Sequence, residues 1–437
     1  MLSTDRLKIS LAQLNPTVGD IAGNVAKLTD ALATARGQGA DLLVTSELFL
    51  SGHPAEDLVL RADFLDAIER AVEVLKLLTA SGTGLLVGSH WRHEGRVHNA
   101  ALLLDRGELR AVRFKHALSL DEQRSFTAGP APGPMAFRGI RLGVMIGQDM
   151  ATADATETLE ESGAQMLVVL NGSPFVTDAQ DERMQQAVQR VQESGLALVA
   201  VNQIGGQDEL VFDGASFALD RNFRLRVQAP SWVEAVVPTD WVLDDDERWV
   251  VEPGPMTAPE EGPAAIYQAL VLGLRDFVTK NGWPGVAVGP GSALLTAIAI
   301  DALGSTTEAS GALVLSSLDK TAMATGQGDF GGDYAPLRDA YRTTALELAR
   351  WRRVGAPISP SAEAVALDDI LACLIERNMS ADAIVARGHA LEHVMQVWRM
   401  LDRAEYKRRQ APLGVKTTRR AFGRDRRIPI TNSFQGG

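Results

Sequence analysis

Cysteine is almost absent from this chain, because Cys373 is the only one among its 437 residues. A single thiol excludes an internal disulfide and any metal cluster built from thiolates. Cys373 lies in the stretch LDDILACLIERN, whose apolar spacing predicts a helix, so we interpret it as a buried core residue. Since there is no second cysteine, no other thiol in the chain can serve as a nucleophile.

Long apolar runs are also lacking. No run reaches the roughly 18 residues that a membrane-spanning helix needs, and the first ten residues lack the layout of a secretory signal peptide. We therefore expect a cytoplasmic protein without a membrane partner. Hydrophobic residues make up 46% of the chain and charged residues 22%, which is typical of a globular protein, and the length predicts two domains.

Metal-ligand motifs are lacking as well. The histidines at positions 53, 90, 93, 98 and 116 have no metal-ligand spacing, and we interpret them as ordinary surface or core residues. The acidic run from Asp244 to Glu247 is interpreted as a solvated loop. We therefore predict no metal site.

Positive charge is scarce, and the net charge of −12 argues against a nucleic-acid partner. The exception is the segment from Asp402 to Arg427, the basic tail, which holds ten Lys and Arg residues against three acidic ones. We predict that the tail docks onto an acidic neighbouring subunit, with a solvated basic face as the alternative. A nucleic-acid role is a weaker alternative, because no aromatic platform interleaves the arginines. The predicted interface residues are Lys407, Arg408, Arg409, Lys416, Arg424, Arg426 and Arg427.

The first half of the chain alternates short apolar runs with segments of helical spacing, which predicts a layered α/β domain over residues 1–239. The predicted strands cover residues 7–14, 42–46, 84–90, 98–104, 142–146, 166–170 and 196–201, and the predicted helices cover residues 24–33, 152–162 and 179–193. Residue Asn24 is predicted to cap the first helix.

The stretch RLGVMIGQDM, from Arg141 to Met150, predicts a buried strand that ends in a sharp turn at Gly147. It resembles the nucleophile strand of the nitrilase superfamily, in which a cysteine occupies the position of Gly147. A glycine has no side chain and cannot attack an amide.

Longer motifs extend this resemblance. AQLNPTVGDIAGN, DLLVTSELFLSGHPAEDLVLRADFL and VNQIGGQDELVFDGASF resemble the glutaminase domain of glutamine-dependent NAD+ synthetases. The resemblance implies an α-β-β-α nitrilase-like sandwich, with Glu47 as the counterpart of the general base, Lys115 as that of the oxyanion-stabilising cation and Glu122 as that of an assisting glutamate. His53 replaces a family tyrosine. Without the nucleophile, we expect catalytic remnants, with Glu47 and Lys115 persisting as a structural ion pair.

The segment Asp240–Gly262 is acidic, rich in Pro and Gly, and without clear periodicity, which predicts a linker between the domains. Trp241 and Trp249 leave open the alternative that this segment is docked rather than free.

The second half, residues 263–437, begins with a predicted helix over 263–280, a strand over 285–289 and a helix over 292–303. A strand, a glycine turn and a helix can cradle phosphates. The segment resembles the start of the synthetase domain, where an S-G-G-x-D-S loop grips the pyrophosphate of ATP. Here the loop has contracted to Pro290-Gly291-Ser292. We predict the nucleotide-binding remnants Gly289, Gly291, Ser292 and Lys320.

The synthetase half is also shorter than the family pattern. Only six residues separate Gly304 from Gly311, so we predict a truncated Rossmann-like domain. The family uses ATP and Mg²⁺, but Ala322 stands in place of its metal-ligating glutamate, so we expect no cofactor. Helices are predicted over 336–353, 367–377 and 380–401, and the stretch from Glu405 to Phe434 resembles the C-terminal tail of the family.

Both sites therefore lack groups that the family chemistry needs. We predict a catalytically degenerate paralogue, a pseudoenzyme, that acts as a structural or regulatory subunit of a homo-oligomer or of a hetero-oligomer with an intact NAD+ synthetase. One alternative is an active ATP-dependent enzyme that converts deamido-NAD to NAD with free ammonia, or a glutaminase that borrows a nucleophile from a partner. Another alternative is a sensor that binds glutamine or a nucleotide.

Overall fold

The computed structural model describes residues 5–80, 82–356, 358–431 and 433. The chain forms two compact units. Unit 1 comprises Met1–Pro174, Asp178–Gly205 and Phe212–Pro259, and unit 2 comprises Phe175–Thr177, Gly206–Val211 and Glu260–Gly437. Two short segments of the first half of the sequence thus belong to unit 2, which the sequence patterns do not indicate.

The strands alternate with helices along the chain. The strands are β1 (Arg6–Gln13), β2 (Leu42–Thr45), β3 (Gly84–His93), β4 (Arg96–Asp105), β5 (Glu108–Phe114), β6 (Met135–Phe137), β7 (Ile140–Ile146), β8 (Met166–Asn171), β9 (Leu198–Asn202), β10 (Ile204–Gln207), β11 (Leu210–Asp213), β12 (Phe217–Leu219), β13 (Leu225–Gln228), β14 (Ala235–Leu243), β15 (Trp249–Val251), β16 (Val286–Val288) and β17 (Leu313–Leu315). The helices are α1 (Ile21–Gly37), α2 (Ala62–Leu78), α3 (Ala153–Glu161), α4 (Ala179–Ser194), α5 (Gly262–Asn281), α6 (Ala293–Leu303), α7 (Lys320–Thr325), α8 (Arg342–Arg352), α9 (Ala362–Ile375), α10 (Ala381–Val385), α11 (Leu391–Arg403) and α12 (Glu405–Arg408).

Unit 1 has four layers. One sheet has the order β15-β14-β1-β2-β3-β4-β5, and a second has the order β13-β12-β9-β8-β7-β6. Successive side chains of a strand point to opposite faces, so Leu42 and Val44 enter the core between the sheets, whereas Leu43 packs on the side of α1 and α2. Helices α3 and α4 cover the second sheet. The predicted α-β-β-α sandwich is therefore confirmed.

The strands that carry the candidate site are buried on both faces. β1, β2 and β3 pair in parallel, as do β7, β8 and β9. Strands covered on both sides are expected to have continuous apolar sequences, as in MLVVL of β8. The carboxyl ends of β2 and β7 lead directly to Glu47 and Gly147.

The linker prediction is wrong for residues 240–251. β14 pairs antiparallel with β1 over its whole length, and β15 pairs with β14. Trp241 is 1% exposed and Trp249 is 4% exposed, because both side chains enter the core between the sheets. The acidic residues between these strands lie mostly in an exposed turn and mask the strand pattern in the sequence.

Unit 2 retains little sheet. β16 and β17 pair there in parallel, and the paired strands β10 and β11 lie partly in unit 2. A separate cluster of helices α7, α9, α10 and α11 forms an apolar core that contains the buried Cys373. This arrangement agrees with a truncated α/β domain. The final residue of the predicted tail motif, Phe434, lies outside the described residues.

Three predicted helix limits need correction. Asp20, not Asn24, caps α1 by accepting a hydrogen bond from the amide of Gly23. The helix predicted from residue 336 begins only at Arg342, because a succession of turns precedes it. The helix predicted over 380–401 is divided into α10 and α11, with Gly388 between them at a φ of 104°. Within the described residues, none of the helices combines the length and apolarity needed to cross a bilayer.

Candidate functional site

The turn after β7 begins with a glycine, Gly147, at the predicted position of the nucleophile. Gly147 has a φ of 48°, in the left-handed region that L side chains rarely adopt. A Cβ built on Gly147 would lie 2.3 Å from Oε2 of Glu47, which is closer than any real carbon contact. The carboxylate of Glu47 therefore occupies the space immediately beside the Cα of Gly147.

The three predicted catalytic remnants lie together in unit 1. Nζ of Lys115 lies 2.7 Å from Oε1 of Glu47 and 2.6 Å from Oε1 of Glu122. Asn99, in the middle of β4, donates a 2.7 Å hydrogen bond to the same oxygen of Glu47. Glu47 and Lys115 each expose only 4% of their side chains, so this triad of Glu47, Lys115 and Glu122 is a buried ion network.

The triad is charged and carries an excess of one negative charge. Burial acts to raise the pKa of Glu47, but the neighbouring Lys115 and His53 outweigh it and the pKa is lowered. Burial acts to lower the pKa of Lys115, but Glu47 and Glu122 outweigh it and the pKa is raised. Glu47 and Lys115 therefore hold each other in their charged forms.

His53 lies close to the carboxylate of Glu47. A Cβ built on Gly172 would lie 3.1 Å from Oε2 of Glu47 and 3.1 Å from Cδ2 of His53. The ring of His53 also packs against that of Phe212, with centroids 6.0 Å apart. The imidazole thus borders the Glu47 carboxylate, where the family has a tyrosine.

Asp149 positions the loop that carries Lys115, and the sequence patterns do not identify this role. Its Oδ1 accepts hydrogen bonds from the amides of His116 at 3.0 Å and Ala117 at 2.7 Å, while Oδ2 accepts from the amide of Ile146 at 3.1 Å. Burial raises the pKa of Asp149, and these backbone donors oppose that shift. The signal available in the sequence is a polar residue in an otherwise apolar turn, and the same signal marks Asn99 within β4.

The predicted nucleotide-binding remnants fall into two separate environments. Gly289 and Gly291 are exposed in the turn between β16 and α6, and Ser292 is the N-terminal cap of α6 without a side-chain capping bond. Lys320, by contrast, is fully buried. Within the described residues, the partners of its Nζ are Asp339, Glu376, Thr418 and the carbonyl of Arg420. Lys320 is therefore committed to its own unit and is not directed toward the turn of Gly289 and Gly291.

The residues at the expected Mg²⁺ position do not fit a metal site. Ala322 is buried and presents a methyl group, and Asp319 caps α7 by accepting from the amide of Ala322 at 2.7 Å. The carboxylates of Asp339 and Glu376 are paired with Lys320. In the part of the chain that the structure describes, no cluster of three or more His, Cys, Asp and Glu side chains is placed to hold a metal ion. The described residues around Ala322 therefore do not supply a set of ligands for Mg²⁺.

The basic tail folds onto unit 2, which corrects the interface prediction for Arg408 and Lys416. Arg408 is 4% exposed and binds Glu405, and Lys416 is 8% exposed and binds Asp425. Both side chains can be buried because nearby carboxylates compensate their charges. The other five have the following partners: Lys407 with the carbonyl of Gly326, Arg409 with Glu405, Arg424 with Glu209, Arg426 with Asn378, and Arg427 with the carbonyl of Gly423. Of these five, Lys407, Arg409 and Arg427 are exposed.

Comparison with known proteins adds a second line of evidence. Residues 8–249 match the family described as carbon-nitrogen hydrolase. The glutamine-dependent NAD+ synthetase of Rhodobacter capsulatus is 32% identical, over 99% of this chain and 99% of that protein, and that of Acinetobacter baylyi is 29% identical, over 98% and 99%. The structure of the glutamine-dependent NAD+ synthetase from Acinetobacter baumannii in complex with ADP matches with a TM-score of 0.75 and 29% identity, over 99% of this chain and 100% of that one.

These alignments are longer than the chain. The alignment with the Rhodobacter capsulatus protein spans 549 positions, whereas this chain has 437 residues. The relative therefore contains segments that this chain lacks, which agrees with the small sheet of unit 2.

Proposed function

This chain belongs to the glutamine-dependent NAD+ synthetase family, and from that premise we propose that it is a catalytically degenerate member that does not hydrolyse glutamine. In this proposal the chain acts as a structural or regulatory subunit. One observation supports the proposal: Gly147, which the family resemblance aligns with the nucleophile, has no side chain, and the carboxylate of Glu47 lies beside its Cα. Amide transfer through a covalent thioester needs a sulfur atom that this site does not have.

No other part of the chain supplies that sulfur. Cys373 is 0% exposed in the apolar core of unit 2. A thiol that is not exposed to solvent is not accessible to a substrate. Lys115 remains as a cation for an oxyanion, but its two carboxylate partners already compensate its charge.

Unit 2 gives the proposal independent support. The contracted turn Pro290-Gly291-Ser292 offers fewer amide donors than a longer glycine loop, and proline has none. Lys320 is held by Asp339 and Glu376 inside the fold. Both halves of the family reaction would therefore lack groups that bind or activate a substrate.

A second candidate function is an active ATP-dependent synthetase that uses free ammonia to convert deamido-NAD to NAD. The comparisons favour an active synthetase over the degenerate reading, because relatives named glutamine-dependent NAD+ synthetase align along almost the whole chain. The use of free ammonia is inferred from Gly147 alone, since the names of these relatives specify glutamine. This reaction needs no cysteine and depends only on unit 2. The two candidates therefore agree on the loss of glutamine hydrolysis and differ on the second half-reaction.

One assay separates them. The purified chain is incubated with ATP, Mg²⁺, deamido-NAD and either glutamine or ammonium, and both glutamate and NAD are measured, with the Rhodobacter capsulatus relative as the positive control. We expect neither product. NAD formed from ammonium in the presence of ATP, and not in its absence, would establish the synthetase. Glutamate release that disappears in Glu47→Ala would overturn the proposal at the first site.

The subunit role has its own test. We propose self-association, association with an intact NAD+ synthetase, or both, because a relative that keeps the contact surfaces of an oligomeric family can join its assemblies. Tagged chain is captured from its own cells, and the eluate is probed for an intact synthetase and for a tagless second copy of the chain. Recovery of neither would remove the subunit hypothesis.

A further inference from the structure

A cleft in unit 1 is lined by residues other than those of the Glu47 triad. It has a volume of 340 Å³ and is formed by the hairpin of β3 and β4, the end of β5 and the loop near Thr127. Glu47, Lys115, Glu122 and Gly147 are not among its lining residues. The volume is at the lower end of the range that holds small organic ligands.

One wall of the cleft is aromatic. The rings of His98 and Phe114 are stacked, with centroids 4.0 Å apart and planes inclined by 14°. His93 packs beside them, with its centroid 5.5 Å from that of Phe114. Phe114 is partly exposed, whereas His98 is buried, so a planar ligand ring can contact this wall at Phe114.

His98 is one of the residues that line the cleft. Its Nδ1 lies 2.8 Å from the carbonyl oxygen of Thr127. A carbonyl can only accept, so Nδ1 carries the proton and Nε2 of the neutral ring keeps a lone pair. His98 is only 6% exposed, and burial lowers its pKa, which favours the neutral ring. Nε2 can therefore accept a hydrogen bond from an N–H or O–H group of a ligand.

The cleft also has a local excess of positive charge. Arg96 is exposed at its rim, and Arg113 is half-buried with its guanidinium anchored on the carbonyl of Gly133. Glu94 supplies one opposing charge. Two arginines and one glutamate line the cleft, which gives them a net charge of +1, whereas the whole chain has −12. An anionic group is therefore attracted to this part of the surface despite the overall charge.

We propose that this cleft binds a small aromatic anion of mononucleotide size, with its ring on the wall of His98 and Phe114 and its phosphate at Arg96. An amino-substituted base supplies the N–H donor for Nε2 of His98. This site is separate from the Glu47 triad and from the turn of Gly289 to Ser292, so the proposal does not rest on the fate of either half-reaction.

The experiment compares AMP with adenosine, which lacks the anion, and with inorganic phosphate, which lacks the ring. Each is titrated into the full chain by calorimetry, and the histidine ring signals are followed by NMR. We expect AMP to bind at least about tenfold more tightly than either fragment and to shift the signals of His98. No binding of AMP at millimolar concentration would overturn the proposal, as would equal affinity for AMP and phosphate, which would indicate a simple anion site.

Three variants locate the binding. Arg96→Ala should weaken AMP by about tenfold and leave adenosine unchanged. His98→Phe keeps an aromatic ring against Phe114 but removes the acceptor, so it should weaken AMP and adenosine alike. Arg110→Ala, on the same strand β5 and paired with Glu108 outside the cleft, is the control and should bind AMP normally. AMP binding that is unaffected by Arg96→Ala and His98→Phe, in variants with unchanged melting temperatures, places the ligand elsewhere and refutes this site.

Discussion

The ammonium group of Lys115 lies 2.7 Å from Oε1 of Glu47, and each of these two side chains is only 4% exposed. Their charges have been removed from water and are compensated by each other and by Glu122. A buried ion pair of this kind is costly to break, since the remaining partner is left as an uncompensated charge. We therefore expect Glu47 and Lys115 to stabilise unit 1 as an ion pair, whatever chemistry the site performs.

Lys115→Met should therefore destabilise the protein strongly. The change leaves Glu47 and Glu122 facing each other without a cation, so we expect a loss of about 3–5 kcal/mol in the free energy of unfolding. Urea denaturation followed by circular dichroism measures this loss. Lys27→Met is the control, because Lys27 pairs with Glu234 at 3.0 Å with 38% and 43% of the side chains exposed. The control should cost less than about 1 kcal/mol, and equal costs for the two variants would contradict the role of the buried network.

Gly147→Ala should cost more than the same change at another glycine with positive φ. The new Cβ would force the Glu47 carboxylate away from Lys115 and Asn99, so we expect an additional loss of about 1–3 kcal/mol. Gly195→Ala is the control, because Gly195 has a φ of 67° and open space around its Cα. Thermal unfolding of both variants isolates the effect of the clash.

A double variant tests the cause of that cost. Glu47→Asp shortens the side chain and withdraws its carboxylate from Gly147. The costs of Gly147→Ala and Glu47→Asp should then combine to less than their sum. Strict additivity would show that the clash with Glu47 is not the source of the destabilisation.

Lys320→Met should affect stability rather than nucleotide binding. Asp339 and Glu376 would lose their buried cation, so we expect a loss of about 3–5 kcal/mol. Any shift of the melting temperature caused by ATP should be the same size in the variant as in the wild type. Arg427→Ala, at an exposed position of the basic tail, is the control and should be close to neutral. A stable Lys320→Met protein that has lost a response to ATP would identify Lys320 as a ligand-binding residue instead.

His90 should make unit 1 sensitive to acid. Its Nδ1 lies 2.7 Å from Oγ of Ser51, its ring packs near Phe64 and Phe126, and burial lowers its pKa to about 3. The folded-state pKa is below the unfolded value of roughly 6.5, so the unfolded state takes up the proton first. The contribution of neutral His90 to the free energy of unfolding is therefore complete above roughly pH 6.5. It is lost as the pH falls, and the loss reaches about 2 kcal/mol at roughly pH 5.

The measurement is the free energy of unfolding against pH for the wild type and His90→Gln. The variant should lose less stability between neutral and mildly acidic pH. His116→Gln is a control of opposite sign, because the carbonyl of Gly129 and then Asp154 raise the pKa of His116 despite partial burial. Its removal should cost most at low pH. Parallel curves for the wild type and His90→Gln would contradict the assignment to His90.

The sequence predicts well what depends on local pattern. Buried strands have apolar runs, so the ends of β2 and β7 are correctly placed, and with them Glu47 and Gly147. The strand β5 that precedes Lys115 is not predicted, and Lys115 is identified only by the family motif. The four-layer fold follows from this alternation and from the family motifs. A strand with charged neighbours is harder to recognise, and β14 and β15 were therefore interpreted as a linker.

Partners that lie far apart in the sequence are not visible in such patterns. The hydrogen bond from Asn99 to Glu47 joins residues 52 positions apart, and the hydrogen bond from the amide of His116 to Asp149 joins residues 33 positions apart. The buried ion pairs of Arg408 with Glu405 and of Lys416 with Asp425 are also not visible in the sequence. A basic segment has the same sequence pattern whether its charges face water or buried carboxylates. These contacts are set by tertiary packing.

The short segments Phe175–Thr177 and Gly206–Val211 lie early in the sequence but belong to unit 2. The amide of Gly206 donates to Asp276 at 2.8 Å, and Glu209 pairs with Arg424 at 3.2 Å. If the gene were divided between the codons for residues 240 and 260, the two partners of each of these contacts would lie on different polypeptides. The two halves are consequently expected to have been inherited as one reading frame, and shuffling either of them alone into another gene would be selected against.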